Sequence, residues 1–232
     1  MNKNLNFFFR GIALFVLIWL INVFIAFVIF KPIESHTNYI MLSFLLADVT
    51  TITTLYLKKR INYFSLIGFF SMFVVIAILY FIPLSSNIPS DAIVLNNQIS
   101  YKYEDRYDYA QALFYNLEKR WDSPIRQYMI EPHKVLLIRS FSYFWNTNGY
   151  VDSNIQAQIF TKLLIQSNRF SSDEVKVEEH WCTITPHGVV YIKGPIGPIY
   201  ADLWAVDNFP EYKFGMYAKR PCNHLGGSPI QI

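Results

Sequence analysis

The side chains able to move protons or attack a carbonyl gather in the C-terminal half of this chain. His180 opens the run His180-Trp181-Cys182, and Asp202 stands in Tyr200-Ala201-Asp202-Leu203-Trp204, 22 residues further on. An imidazole held by a carboxylate is the proton-handling half of a nucleophilic site. Starting 31 residues before His180, Gly149-Tyr150-Val151-Asp152-Ser153 reads as a turn entering a helix. A thiol there would have its thiolate stabilised by the helix dipole and by free backbone N–H groups. Val151 lies in this turn, and its side chain has no lone pair to attack with. Tyr150 and Ser153 carry hydroxyls close by, and Ser153 could act only if the helix began two residues later. Cys182 follows His180 on one strand, whereas Cys222 lies far along in a tail flanked by Pro and Gly.

Each of these residues also has a plainer reading. His180 beside Trp181 suits a hydrogen-bonded structural histidine, and Asp202 suits a turn or loop cap. His180, Cys182 and His187 have a zinc-like spacing, but no fourth ligand is evident, so no metal or other cofactor is expected. Two cysteines are too few for a disulfide scaffold. One bridge in an oxidising compartment and two buried thiols both remain open. Tyr101, Tyr103, Tyr107 and Tyr109 are read as packing residues rather than as a binding face.

The elements that must position these groups follow from periodicity. Residues 92–103 mix β-formers around Asn96-Asn97 and predict a short hairpin. Tyr109, Leu113 and Leu117 predict a helix over 107–121, and Glu131-Pro132-His133 opens another that runs to about Trp145. Asn146-Thr147-Asn148-Gly149 is a turn. Asp152 and Ser153 then cap a helix carrying Ile155, Ile159, Phe160, Leu163 and Leu164. Strands are expected at Val175–Val177, Trp181–Thr185, Val189–Ile192 and Tyr200–Trp204. Helices followed by an antiparallel sheet make an α+β domain.

The segments GYVDSNIQAQIFTKLL, EEHWCTI and YADLWAVD, within residues 130–207, together resemble the transglutaminase-like domains of the papain-like cysteine-enzyme superfamily. In that family a Gly-x-Cys turn starts a helix, a His on one strand is the base, and an Asp on the next strand orients it. The resemblance implies that His180 and Asp202 form a dyad and that Val151 occupies the nucleophile's place. It therefore implies a catalytically inactive domain that binds a peptide, an envelope polymer or a partner protein. An active hydrolase or acyltransferase using Ser153 or Cys182 is one alternative; an accessory subunit of an envelope or pilus assembly complex is another.

The first third of the chain has a different chemistry. Residues 11–30, 39–57 and 64–82 predict three transmembrane helices, since about 20 apolar residues span the hydrocarbon core. Asp48 in the second must face another helix or serve a function. Residues 1–84 are read as this membrane anchor, 85–91 as a linker and 92–232 as the α+β domain. Lys3, Arg10, Lys58, Lys59, Arg60 and Lys31 against Glu34 and Asp48 give the anchor 6 − 2 = +4, while 14 basic and 15 acidic residues leave the remainder at −1. The basic excess thus flanks lipid, and nucleic acid is excluded as a partner. By the Lys/Arg bias of the loops the N-terminus is cytoplasmic and the C-terminal domain extracytoplasmic, as in a bacterial inner membrane.

Overall fold

A computed structural model describes residues 3–28, 37–80, 82, 85–121, 83–84, 138–147, 151–182, 185–208, 212–218 and 229–231. The chain divides into two compact units, the first running to Ile82 and the second beginning at Pro83.

The first unit contains α1 (Lys3–Val28), α2 (Thr37–Leu57) and α3 (Tyr63–Tyr80). Within α1 the stretch Lys3–Asn22, with a mean hydropathy of 1.8, is long and apolar enough to cross a membrane; Tyr63–Ile76 in α3 is apolar but shorter. α1 and α3 lie backbone to backbone because each places a glycine at the contact. A Cβ on Gly11 would collide with the Ser65 carbonyl, and one on Gly68 with the Phe8 carbonyl. Small residues at a helix contact permit such a close approach of the backbones. The Ser65 hydroxyl donates to the Phe7 carbonyl at 2.8 Å. Further along, Phe15 meets Phe69 and Phe73 edge-on at 5.4 and 5.1 Å. The predicted cost of Asp48 is met inside this unit, where Asn22 Nδ2 of α1 donates to Asp48 Oδ2 at 2.8 Å.

The second unit has a helical layer of α4 (Ser90–Lys102), α5 (Arg106–Glu118), the short α6 (Phe141–Trp145) and α7 (Ser153–Gln166). Residues 92–102 are therefore helical, contrary to the hairpin predicted over 92–103. Asn96 is a buried anchor rather than a turn residue. Its amide donates to the Leu163 carbonyl at 2.8 Å and to Gln166 Oε1 at 2.6 Å, and it accepts from the Tyr109 hydroxyl at 2.7 Å. With Ala92 and Ile99 it forms the buried face of α4. α5 is capped by Asp105, which accepts from the Tyr107 and Asp108 amides, and it buries Tyr109, Leu113, Phe114 and Leu117. Arg169 ties these helices together by donating to Ser100 Oγ at 2.8 Å and to the Glu104 carbonyl at 2.9 Å. The expected helix start at Glu131 lies outside the described residues, as does Gly149.

The sheet layer is antiparallel in the order β1 (Val175–Cys182), β2 (Thr185–Lys193), β3 (Pro198–Ala201). The expected strand Val175–Val177 and the start of the one expected at Trp181–Thr185 run together as β1, whereas Thr185 already belongs to β2. Val175 faces Ile192 and Val177 faces Val190, while Val190 and Ile192 face Ala201 and Ile199. These residues form the sheet's contribution to the core against α7. The expected strand Tyr200–Trp204 stops at Ala201, and α8 (Leu203–Asn208) begins at once. A separate pair, β4 (Met216–Ala218) and β5 (Pro229–Gln231), follows. The stretch after Pro83 is held to this unit: the Leu84 amide donates to Gln158 Oε1 at 2.7 Å, and the Ser85 amide donates to the Arg139 carbonyl at 2.8 Å.

Candidate functional site

Three backbone features converge on one place: the N-terminus of α7, the middle of β2 and the corner after β3. Asp152 is the N-cap of α7, with extended φ −61 and ψ 146, and its carboxylate accepts from the Asn154 amide at 2.9 Å. Such a cap satisfies donors that a helix start leaves open. Val151 precedes the cap and is fully buried; its carbonyl accepts from Gln156 Nε2 at 3.0 Å. Ser153 is the first helical residue and is buried, and its hydroxyl oxygen accepts from the Gly188 amide at 3.4 Å.

Gly188 permits that contact. A Cβ there would lie 2.6 Å from Asn154 Cα, so only glycine lets α7 rest directly on β2. Glycine inside a strand commonly marks a close backbone approach. The Asn154 side chain extends the contact to β1, donating to Glu179 Oε1 at 3.0 Å and accepting from Gln158 Nε2 at 3.1 Å.

Beside Gly188 stands His187. Its Nε2 is 2.8 Å from Asp202 Oδ2, and both side chains are buried. Asp202 is the residue between β3 and α8, where its second oxygen, Oδ1, accepts from the Ala205 amide at 3.0 Å and its carbonyl accepts from the Val206 amide at 3.2 Å. One carboxylate thus caps α8 and orients an imidazole. The Trp204 ring meets His187 edge-on at 5.2 Å, and Trp204 packs with Ala205 and Tyr212. Burial opposes the imidazolium form. The Asp202 carboxylate, through charge and hydrogen bond, and the nearby Asp152 charge outweigh it and raise the His187 pKa above its ordinary value.

Of the sequence-predicted residues, Val151, Ser153 and Asp202 come together here. The imidazole seen against Asp202 is that of His187, where the sequence reading pairs Asp202 with His180. Because β1 and β2 are joined at residues 182–185, His180 stands directly across the ladder from His187. Only β2 is central, paired with β3 as well as β1, so its histidine is the one carried to the corner after β3. The His180 and Cys182 side chains, and all of Cys222, lie outside the described residues. The overlooked signal was His187-Gly188-Val189-Val190, a histidine and a close-approach glycine at the head of a strongly apolar strand. The sequence reads Asp152 as a helix cap and Trp204 as the end of a strand; Trp204 gains its place at the site from its ring contact with His187.

The arrangement can hold a proton on a buried imidazole and fix its orientation. Val151, the residue before the Asp152 cap, offers only hydrocarbon. Among the described residues no group of three His, Cys, Asp or Glu side chains is set to hold a metal ion. Comparisons with family models, curated proteins and solved structures find no match for the chain. What the geometry defines is an α+β domain with a buried His–Asp pair at a helix N-terminus, in a chain whose N-terminal helix is long and apolar enough to span a membrane.

Proposed function

We propose that this chain is a membrane-tethered, extracytoplasmic domain on a transglutaminase-like plan that has lost its nucleophile and works by binding a peptide, an envelope polymer or a partner protein. The observation that carries the reading is the complete burial of Val151, two residues before the Ser153 hydroxyl that meets the Gly188 amide, together with the buried His187–Asp202 pair. A pair kept without a nucleophile and closed from solvent serves the architecture by locking α7, β2 and α8 together. Supporting the three-helix anchor, the one intramembrane carboxylate is hydrogen-bonded within the unit by Asn22.

The test is Val151→Cys in the full-length protein. The plan requires a thiol at that position to titrate well below the ordinary value of about 8.5, as a helix N-terminus and an imidazole stabilise its thiolate. The thiolate absorbance, read as a difference from wild type, should appear at low pH and shift up when His187→Gln is added. A thiol titrating at or above its ordinary value would remove the transglutaminase-like reading. Ser153 is the competing nucleophile, because its hydroxyl sits beside the dyad strand. Stable labelling of Ser153 in the wild-type chain by a fluorophosphonate would replace the binding reading with a hydrolase.

A further inference from the structure

The parallel packing of α1 and α3 gathers charges that are far apart in sequence. Phe7 and Phe8 lie against Ser65 and Gly68, and Phe15 lies against Phe69 and Phe73, so both helices advance in one direction. The start of α1, with Lys3 and Arg10, is therefore at the same end as the start of α3. α2 finishes at that end too, in Lys58-Lys59-Arg60. All five cationic residues are exposed. The Arg10 guanidinium lies 5.4 Å from the Phe7 ring centre, its stem on an apolar helix and its charge at the rim. Of the acidic residues in the first 84, Glu34 falls in the other connection, and Asp48 is ten residues before Lys58, about 15 Å along the helix axis.

The turn itself adds an independent observation. The Arg60 amide donates to the Leu55 carbonyl and the Lys59 amide to the Tyr56 carbonyl, both at 2.9 Å. This is a Schellman ending of α2, and Lys59 takes its left-handed position at φ 56. Glycine occupies that position free of strain, whereas a lysine there keeps a charge at the expense of backbone comfort.

We infer that this end of the helical unit is a binding collar for anionic phospholipid headgroups, formed by Lys3, Arg10, Lys58, Lys59 and Arg60. The inference rests on the membrane-spanning reading above. Phosphate-bearing headgroups at the bilayer surface match clustered Lys and Arg in charge and depth. The N-terminal ends of α1 and α3 face the same headgroup layer and add partial positive charge.

The experiment uses the full chain in neutral detergent, titrated with phosphatidylglycerol or phosphatidylcholine and read by native mass spectrometry. The expected result is a preference for phosphatidylglycerol that falls at high salt. Each cation removed should weaken it by roughly fivefold, so that Lys58→Ser/Lys59→Gly/Arg60→Ser abolishes most of it. Equal binding of the two lipids by wild type, or a preference that survives in the triple variant, would overturn the collar. Displacement by soluble glycerol phosphate would also overturn it, since the ligand would then be a free anion. Lys59→Gly alone should leave the thermal midpoint in phosphatidylcholine unchanged or higher, because it relieves the left-handed residue; a fall would make Lys59 structural and refute a role in lipid contact. Flotation with phosphatidylcholine vesicles separates the two levels: failure to float overturns the membrane reading, whereas flotation without lipid preference overturns the collar alone.

Discussion

Replacing Asp202 by alanine removes two contacts at once. The first is the acceptor 2.8 Å from His187 Nε2, and the second is the cap on the Ala205 amide at 3.0 Å. Loss of a helix cap costs about 1 kcal/mol. Breaking a buried ion pair by deleting one partner costs about 3–5 kcal/mol, but His187 can relieve part of this by giving up its proton, so the lower end applies. A loss of roughly 3–4 kcal/mol corresponds to a fall of about 6–16 °C in the thermal midpoint for a unit of this size. Asp202→Asn keeps an amide oxygen able to cap Ala205 and should recover about the 1 kcal/mol of the cap. Differential scanning fluorimetry of the full chain in detergent, followed through tryptophan emission, reads both variants. The pH dependence gives a second signature. The folded His187 pKa lies above the ordinary 6.5, so its stabilising contribution is complete below 6.5 and is lost as pH rises through the folded value. Wild type should therefore lose this increment on going from acidic to alkaline buffer, and Asp202→Ala should lose less. An Asp202→Ala protein that melts with wild type and keeps the wild-type pH slope would refute the reasoning.

Gly188→Ala should destabilise by about 1–3 kcal/mol because its methyl would meet the Asn154 backbone, while Gly197→Ala, with nothing within 4 Å, should stay within about 0.5 kcal/mol in the same melting assay. Asn96→Ala removes the amide that accepts from the buried Tyr109 hydroxyl and donates to the Leu163 carbonyl; the hydroxyl keeps that carbonyl at 3.4 Å and the carbonyl keeps the Ser167 amide at 3.1 Å, so the cost should be about 1 kcal/mol. The Tyr109 pKa, pushed up to about 12 chiefly by burial, should stay high in wild type by ultraviolet titration of the folded protein. Asn22→Leu strands Asp48 and should lower the detergent melting midpoint, whereas Asn22→Leu with Asp48→Leu should recover most of it, since replacing both partners by apolar groups is nearly neutral; a double variant as weak as the single would count against the pair.

Local chemistry alone determined much of this protein. The apolar stretches of the first third, the helix of residues 153–166 with its Asp152 cap, the stripe Tyr109, Leu113, Leu117 and the antiparallel strands after Val175 are all set by periodicity and caps. These signals act over a few residues, within reach of a single turn or strand. Other features belonged to tertiary structure. Asn96-Asn97 has turn-forming side chains, yet Leu163, Gln166 and Tyr109, far away in sequence, supply partners that make Asn96 a buried helical residue. Two histidines face each other across the β1–β2 ladder, and sequence offers both; strand order decides, because only β2 also borders β3 and brings its histidine to Asp202. Hydrophobic pattern specifies which face a strand buries, but the choice of neighbouring strand is a long-range pairing, made only when the whole sheet forms against α7.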